Sequence, residues 1–286
     1  MAATSGVMDV FTARVIPLLA QIYPTWVDAL FEYGENGLDA GAKNIWYVLL
    51  PDKVIIIDDG HGMVAQMLPD DRGMLDLFRD DAVNQRLKDG EDVRTIINPQ
   101  SLMSLEWMMI AGAFSPKLYE VGRRVRGVKG IGAIAFRRIG NKATWETMPS
   151  RTITTDIPAT PHRLTPASNQ DLANFRSVYT IDHSGSPLID PFGRPLASGT
   201  RVEVFDLMDD PSMQLRPTAV AEQLQTRFGA DIRARKVQVT LIDLLTREGR
   251  ATPGGRIYNI DPPSYTRVMV ANATRALRGG GAVLRS

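Results

Sequence analysis

Two apolar runs of strand length, Ile45-Trp-Tyr-Val-Leu-Leu50 and Val54-Ile-Ile-Ile57, are separated only by Pro51-Asp-Lys53, a turn signal. Runs this apolar and this short read as paired strands buried on both faces, joined as a hairpin. A hairpin cannot bury both faces alone, so other elements must cover it. The segment just before it supplies one candidate: Pro24 to Ala40 reads as a helix with Trp26, Leu30 and Tyr33 turned inward. On that helix Glu32 and Asn36 are four residues apart and Asp39 seven from Glu32, so all three project from one face. The second strand ends at Asp58, followed by Asp59-Gly60-His61-Gly62-Met63. Two acidic strings therefore flank the hairpin and look like two halves of one nucleotide site.

Each string has an ordinary reading as well. Glu-x-x-x-Asn on a helix is usually a solvated face, and Asp-x-Gly-x-Gly is usually a turn after a strand. Gly127-Val128-Lys129-Gly130-Ile131-Gly132 is by itself a tight-turn pattern, and Gly199-Thr200 a loop leading into a strand. The order in which all four occur carries more weight than any one of them.

Taken together, Glu32-x-x-x-Asn36-x-x-Asp39-Ala40 and Asp58-x-Gly60-x-Gly62 resemble the first two motifs of the GHKL ATPases, the superfamily of gyrase B, the ninety-kilodalton heat-shock chaperones, histidine kinases and MutL. The Gly127–Gly132 string resembles the family's phosphate-lid motif, and Gly199-Thr200-Arg-Val-Glu-Val-Phe-Asp-Leu207 its Gly-Thr strand. The wording is most similar to MutL, the topoisomerase VI B subunit and MORC-type domains. The resemblance implies an α+β fold of Bergerat type, a mixed β-sheet covered on one face by helices in an α/β sandwich, with an ATP lid.

It also implies roles. Glu32 is the expected catalytic residue. Asn36 supplies the protein oxygen for magnesium, whose other ligands are phosphates and waters. Asp58 accepts from the adenine amino group, Thr200 meets the adenine edge, and Gly60 and Gly62 let backbone approach the base while Met63 packs on it. Asp39 and Ala40 complete the helix end of the ATP site. Gly127, Val128, Lys129, Gly130, Ile131 and Gly132 form an anion seat of backbone N–H groups before a helix. Lys117, Arg123, Arg124 and Arg126 make the preceding loop basic, and Lys117 and Lys129 are the expected phosphate contacts. His61 reads as a loop residue, Asp59 as a solvated neighbour, and Glu35, off the proposed face, as either structural or a support behind the site residues. His162 and His183 are too far apart to suggest a metal site.

The organisation expected is an arm or helix over 1–23, an ATPase domain over 24–243 with its lid at about 112–132, and a basic tail or the start of a following domain over 244–286. A helix is expected from Ser104 to Phe114 and from Ala133 to Ile139, a loop over 150–170, strands over 142–148, 177–182, 201–207 and 236–243, and a helix over 217–228. The last segment carries seven arginines against Glu248 and Asp261, although the whole chain has a net charge of only +1. That charge excludes a wholly basic nucleic-acid clamp. With no cysteine there is neither a disulfide framework nor a thiolate metal site. No apolar run reaches 18 residues, so an intracellular protein without membrane partners is expected.

The leading functional expectation is magnesium-dependent ATP hydrolysis that closes a homodimeric clamp in a DNA-transacting protein, with possible DNA and protein partners. The alternatives are a chaperone-like ATPase that remodels protein clients, or a regulatory domain that binds nucleotide with little turnover. Relatives that turn over quickly receive a lysine from a following domain, so slow turnover alone is expected here.

Overall fold

The computed structural model describes residues 22–72, 82, 85–86, 89, 91, 95–108, 119–120, 123–124, 132–151, 161–166, 179–182, 187–245 and 255–262. The expected arm over 1–23, apart from its last two residues, lies outside them, as do Lys117, Arg126, the string Gly127 to Ile131, and most of the expected tail.

The architecture is α+β. Two long helices, α1 (Trp26–Asp39) and α2 (Pro217–Arg235), accompany an eight-stranded sheet. In chain order the strands of that sheet are β1 (Asn44–Leu49), β2 (Lys53–Asp58), β5 (Gly140–Met148), β6 (His162–Pro166), β7 (Tyr179–Asp182), β8 (Gly199–Leu207), β9 (Gln238–Asp243) and β10 (Arg256–Ile260). A separate two-stranded ribbon pairs β3 (Tyr119–Glu120) with β4 (Arg123–Arg124), inside the segment expected to be a lid. The large sheet runs β10-β9-β1-β2-β8-β5-β6-β7, mixed because β1 and β9 are parallel and all other neighbours antiparallel.

Helix α1 begins where the sequence has a complete capping box. Thr25 Oγ1 accepts from Asp28 N at 3.2 Å while Asp28 Oδ2 accepts from Thr25 N at 3.0 Å, satisfying two of the N–H groups a helix start leaves open. Thr25→Ala is expected to cost about 1 kcal/mol. That is a fall of about 2–4 °C in melting temperature, read by calorimetry, with no loss of fold. Trp26, Leu30 and Tyr33 face inward as expected, each at most 4% exposed.

Strand alternation divides the sheet's two faces. Ile45, Tyr47, Leu49, Val54, Ile56, Ala143, Trp145, Val202, Val204, Val239 and Leu241 join Leu30, Phe31, Leu38, Leu224 and Phe228 of the helices in one core. Phe31 and Phe228 lock α1 to α2 edge to face, with ring centres 5.7 Å apart. Beside them Glu35, buried on α1, accepts from Arg227 Nε of α2 at 2.8 Å. Of the two roles open to Glu35, this contact is the structural one: it joins α1 to α2.

The opposite face has two parts. Trp46, Val48, Ile55, Ile57 and Ile242 form a smaller apolar cluster under Leu196. Further along, Lys53, Glu203, Arg201, Glu146 and Arg163 make a row of alternating charge across β2, β8, β5 and β6. Among the described residues no helix is long and apolar enough to cross a membrane.

Several expected boundaries move. The loop expected over 150–170 contains β6, and the sheet does not end at Asp243, because β10 adds to β9 within the segment expected to be a tail. Helix α2 runs seven residues past Phe228, to Arg235, and ends where Lys236 turns left-handed at φ 53°. The stretch expected as a helix over Ala133–Ile139 is a 3-10 turn, Gly132–Arg138. Of the helix expected from Ser104 to Phe114, the described part is one turn, Leu105–Met108.

Candidate functional site

Parity places the polar residues at one end of the sheet. Since Val54 and Ile56 point to the helix side, so does Asp58; Val202 and Val204 fix the same side for Thr200, and Ala143 and Trp145 for Thr147. Register then aligns them. Asp58 is paired with Thr200 and Thr200 with Thr147, so a carboxylate and two hydroxyls stand in one row across β2, β8 and β5, under the C-terminal half of α1. All three side chains are buried or nearly so: Asp58 is 8%, Thr200 9% and Thr147 1% exposed.

Each is held. Asp58 Oδ1 accepts from Gly60 N at 2.9 Å, closing a turn over the strand end. The Thr147 hydroxyl donates to Gly199 O at 3.1 Å, accepts from Met63 N at 2.8 Å and lies 3.4 Å from the Thr200 hydroxyl. Thr147 escaped the sequence reading because it is one position in an ordinary alternating strand. The only signal was the register that sets it beside Gly199-Thr200.

The α1 half of the site lies above this row. Glu32 is half-buried, Asn36 exposed and Asp39 half-buried on one helix face. The 3-10 turn brings Gly132 against that face: a methyl group on its Cα would lie 3.5 Å from both Asn36 Nδ2 and Glu32 Oε2. Gly37, next to Asn36 on α1, rests on Asp58, where an added methyl would be 3.0 Å from the Asp58 Cβ. That contact joins the two halves. Residues far apart in sequence, 32, 36, 58, 132, 147 and 200, thus converge where α1 crosses the ends of three strands.

The glycines between Asp58 and Met63 are explained by the protein's own packing. A methyl on Gly60 would meet the Ala40 side chain at 2.6 Å, and Ala40 O accepts from His61 N at 3.0 Å, which docks the end of α1 onto this loop. Gly62 has φ +65° and would drive a methyl to 2.1 Å from Met148 O. The expectation that both serve to admit a base is therefore not needed to account for them. Met63 is half-buried against the main core. Asp59 is more than a solvated neighbour: its Oδ1 accepts from Lys43 N and Asn44 N at 2.6 and 2.7 Å, and its Oδ2 from Asn44 Nδ2 at 2.6 Å, pinning the start of β1 to the end of β2.

Around Glu32 the structure is rich in phenols. Tyr23 and Tyr33 are both buried. Burial, and after it the charge of Glu32, pushes the Tyr23 hydroxyl well above the ordinary phenol range. Tyr33 moves the same way, mainly through burial. Arg138 Nη2 donates to Pro24 O at 2.5 Å, so the 3-10 turn also grips the chain just ahead of α1.

Among the described residues no group of three or more histidine, aspartate or glutamate side chains could hold a metal. A cation here would draw on a single amide, Asn36, with its remaining oxygens from a ligand and water, which suits magnesium on a polyphosphate.

No protein-family model matches the chain, and no curated protein matches it either.

Proposed function

We propose that the chain is a GHKL-type ATPase of Bergerat fold, in which the pocket between α1 and the ends of β2, β8 and β5 takes Mg-ATP. One observation carries the reading: a methyl group on Gly132, the last glycine of the string that resembles the phosphate lid, would lie 3.5 Å from both Glu32 Oε2 and Asn36 Nδ2, while Asp58 and Thr200 pair across β2 and β8 on the same side of the sheet. The support for this reading is that residues of the helix string, the Asp58 string and the Gly199-Thr200 strand, with Gly132, stand at one end of the sheet.

In this reading the adenine amino group donates to the buried Asp58 carboxylate, and Thr200 meets the ring edge. Thr147 acts indirectly, by fixing Gly199 O and Met63 N. The phosphates, in the same reading, lie along α1 toward Gly132. Asn36 would hold magnesium, which when bound neutralises phosphate charge. Glu32 takes a proton from the attacking water. ATP-dependent pairing of two such chains, acting on DNA, is the role that the likeness to MutL and topoisomerase VI B favours.

Thermal melting with and without Mg-ATP tests the binding part. Wild type is expected to rise, by about 2.7 kcal/mol of added stability when ligand is at 100 times Kd. Asp58→Asn replaces an acceptor oxygen with a donor facing the adenine amino group. It is expected to fold, keep the Gly60 contact through its remaining oxygen, and lose the ATP-induced rise. An equal rise in both proteins would remove Asp58 from the site and with it the adenine pocket.

A further inference from the structure

We infer that Arg137 is an anion site apart from the nucleotide pocket: its guanidinium is anchored through Nη1 with the Nε–Nη2 fork free, and the ligand that fits this fork is a single carboxylate. Nothing in the ATPase reading uses this residue, so the two stand or fall separately.

Arg137 lies on the 3-10 turn Gly132–Arg138 and is only 9% exposed. Its Nη1 donates to Asn141 O at 3.1 Å, and its guanidinium carbon lies 5.3 Å from the centre of the Phe136 ring. Phe136 in turn meets Trp145 edge to face, with ring centres 5.7 Å apart. An anchor at one corner and a packed ring beneath fix the plane of the guanidinium. Its Nε is buried with no hydrogen-bond partner. Nη2 makes no hydrogen bond among the described residues and is not one of the buried unpartnered atoms, so it reaches solvent.

Among the described residues no carboxylate lies within salt-bridge distance of it. Arg194, Arg201, Arg227 and Arg235 are all less buried, and each has a carboxylate partner. Burial pushes the Arg137 guanidinium down from its ordinary pKa, and no opposite charge pulls it back. A charge taken out of water is costly unless it is paired. Arg137 is thus in the state that removing one partner from a buried ion pair would leave.

The shape and charge of the fork select the ligand. The Nε–H and Nη2–H bonds of a guanidinium point in parallel, at the spacing of the two oxygens of a carboxylate. One carboxylate neutralises one arginine, whereas a phosphate brings nearly two charges and would bury the surplus beside a single cation. The site is also distant from the proposed nucleotide pocket. From Gly132 to Arg137 is about 10 Å at the rise of a 3-10 turn, and Nη1 is tied to Asn141, near the start of β5. Thr147, in the row with Asp58 and Thr200, is about 20 Å further along that strand. Arg138, next in the chain, is turned to Pro24 O instead.

Sodium acetate is the probe, with sodium phosphate and sodium chloride at matched ionic strength beside it. In nitrogen-correlated NMR spectra of the full chain, the Arg137 Nε–H signal, identified by its absence from Arg137→Lys, is expected to shift saturably with acetate, less with phosphate and not with chloride. Arg137→Met removes the charge and the fork but keeps an unbranched side chain over Phe136. Without acetate it is expected to melt at or above wild type, because an unpaired buried charge is gone, and to lose the acetate-induced rise that wild type shows. A signal unmoved by acetate would overturn the inference, and a larger shift with phosphate would overturn the choice of a carboxylate. Arg137→Met melting below wild type would overturn it too, by making the Asn141 contact the reason for the arginine. Sedimentation velocity separates two sources of the carboxylate, either of which upholds the site. Association that acetate and Arg137→Met both abolish assigns it to a second copy of this chain, and an acetate shift in a chain that stays monomeric assigns it to a carboxylate ligand of another kind.

Discussion

Glu32→Ala is expected to reduce ATP turnover by about 10²–10⁴-fold, the usual worth of a positioned general base, while leaving the Mg-ATP-induced rise in melting temperature in place. The two effects separate because of where Glu32 sits. It is half-buried on the face of α1 near Gly132, whereas Asp58 and Thr200, the pair proposed to meet the adenine, lie at the strand ends. Removing the carboxylate also relieves negative charge near the phosphates, so binding is expected to hold or tighten slightly. Stability should change little, since truncation to Ala keeps a strong helix former in the middle of α1. Glu32→Gln is the companion: it keeps the shape and loses the base, and it should match Ala in turnover. Steady-state phosphate release beside a melting curve checks both. Residual turnover above about a tenth of wild type in either variant would remove Glu32 from the proton-transfer step.

Much of the site could be read from the sequence because its parts obey local rules. A helix face needs only the spacing of Glu32, Asn36 and Asp39, and a strand end only the break after Ile57. The sequence did not say how those parts meet. That Thr147 stands beside Thr200 follows from the pairing of β5 with β8, a contact across 53 residues that no local pattern encodes. The same holds for Tyr23, which looked like the end of an arm and is buried at the start of α1. Gly60 and Gly62 have a second reason to be glycine that the sequence did not show. Their pattern suggested a ligand, yet the nearest atoms to an added methyl belong to Ala40, Asp58, Met148 and Gly199.

The missed strands share a physical cause. β10 lies at the sheet's edge, where Arg256, Ile257 and Asn259 are exposed and only Ile260 is fully buried, so its hydrophobic signal is thin. β6 sits near the other edge in a stretch rich in Pro and Thr, and takes its order from pairing with β5. Helix α2 outran its expected end for a related reason: beyond Phe228 its residues are mostly Arg, Asp and Ala, which are compatible with a helix but carry little apolar periodicity. Interior elements such as β1 and β2, buried almost throughout, were legible from composition alone.

Gly199→Ala is expected to be the most destabilising single-methyl change in this part of the chain, and to disable the site along with the fold. Gly199 opens β8 at φ +142°, a backbone region that side-chain-bearing residues rarely occupy, at a cost of order 1–3 kcal/mol. The added methyl would also lie 2.0 Å from Asp58 O and 3.1 Å from Asp59 Cα, both backbone atoms that cannot swing aside. Overpacking of that kind costs typically 1–3 kcal/mol more, giving about 2–6 kcal/mol in all. For a domain of this size that is a fall of roughly 5–20 °C in melting temperature. The functional loss follows from the same geometry. To admit the methyl, β8 must move away from the end of β2, which breaks the Asp58–Thr200 register and strips Thr147 of its Gly199 acceptor. Whatever fraction remains folded should therefore show no ATP-induced rise in melting temperature, unlike Glu32→Ala. Differential scanning calorimetry with and without Mg-ATP reads both effects, and a variant that melts within about 2 °C of wild type would show that the close approach of Gly199 to Asp58 is not a constraint on the fold.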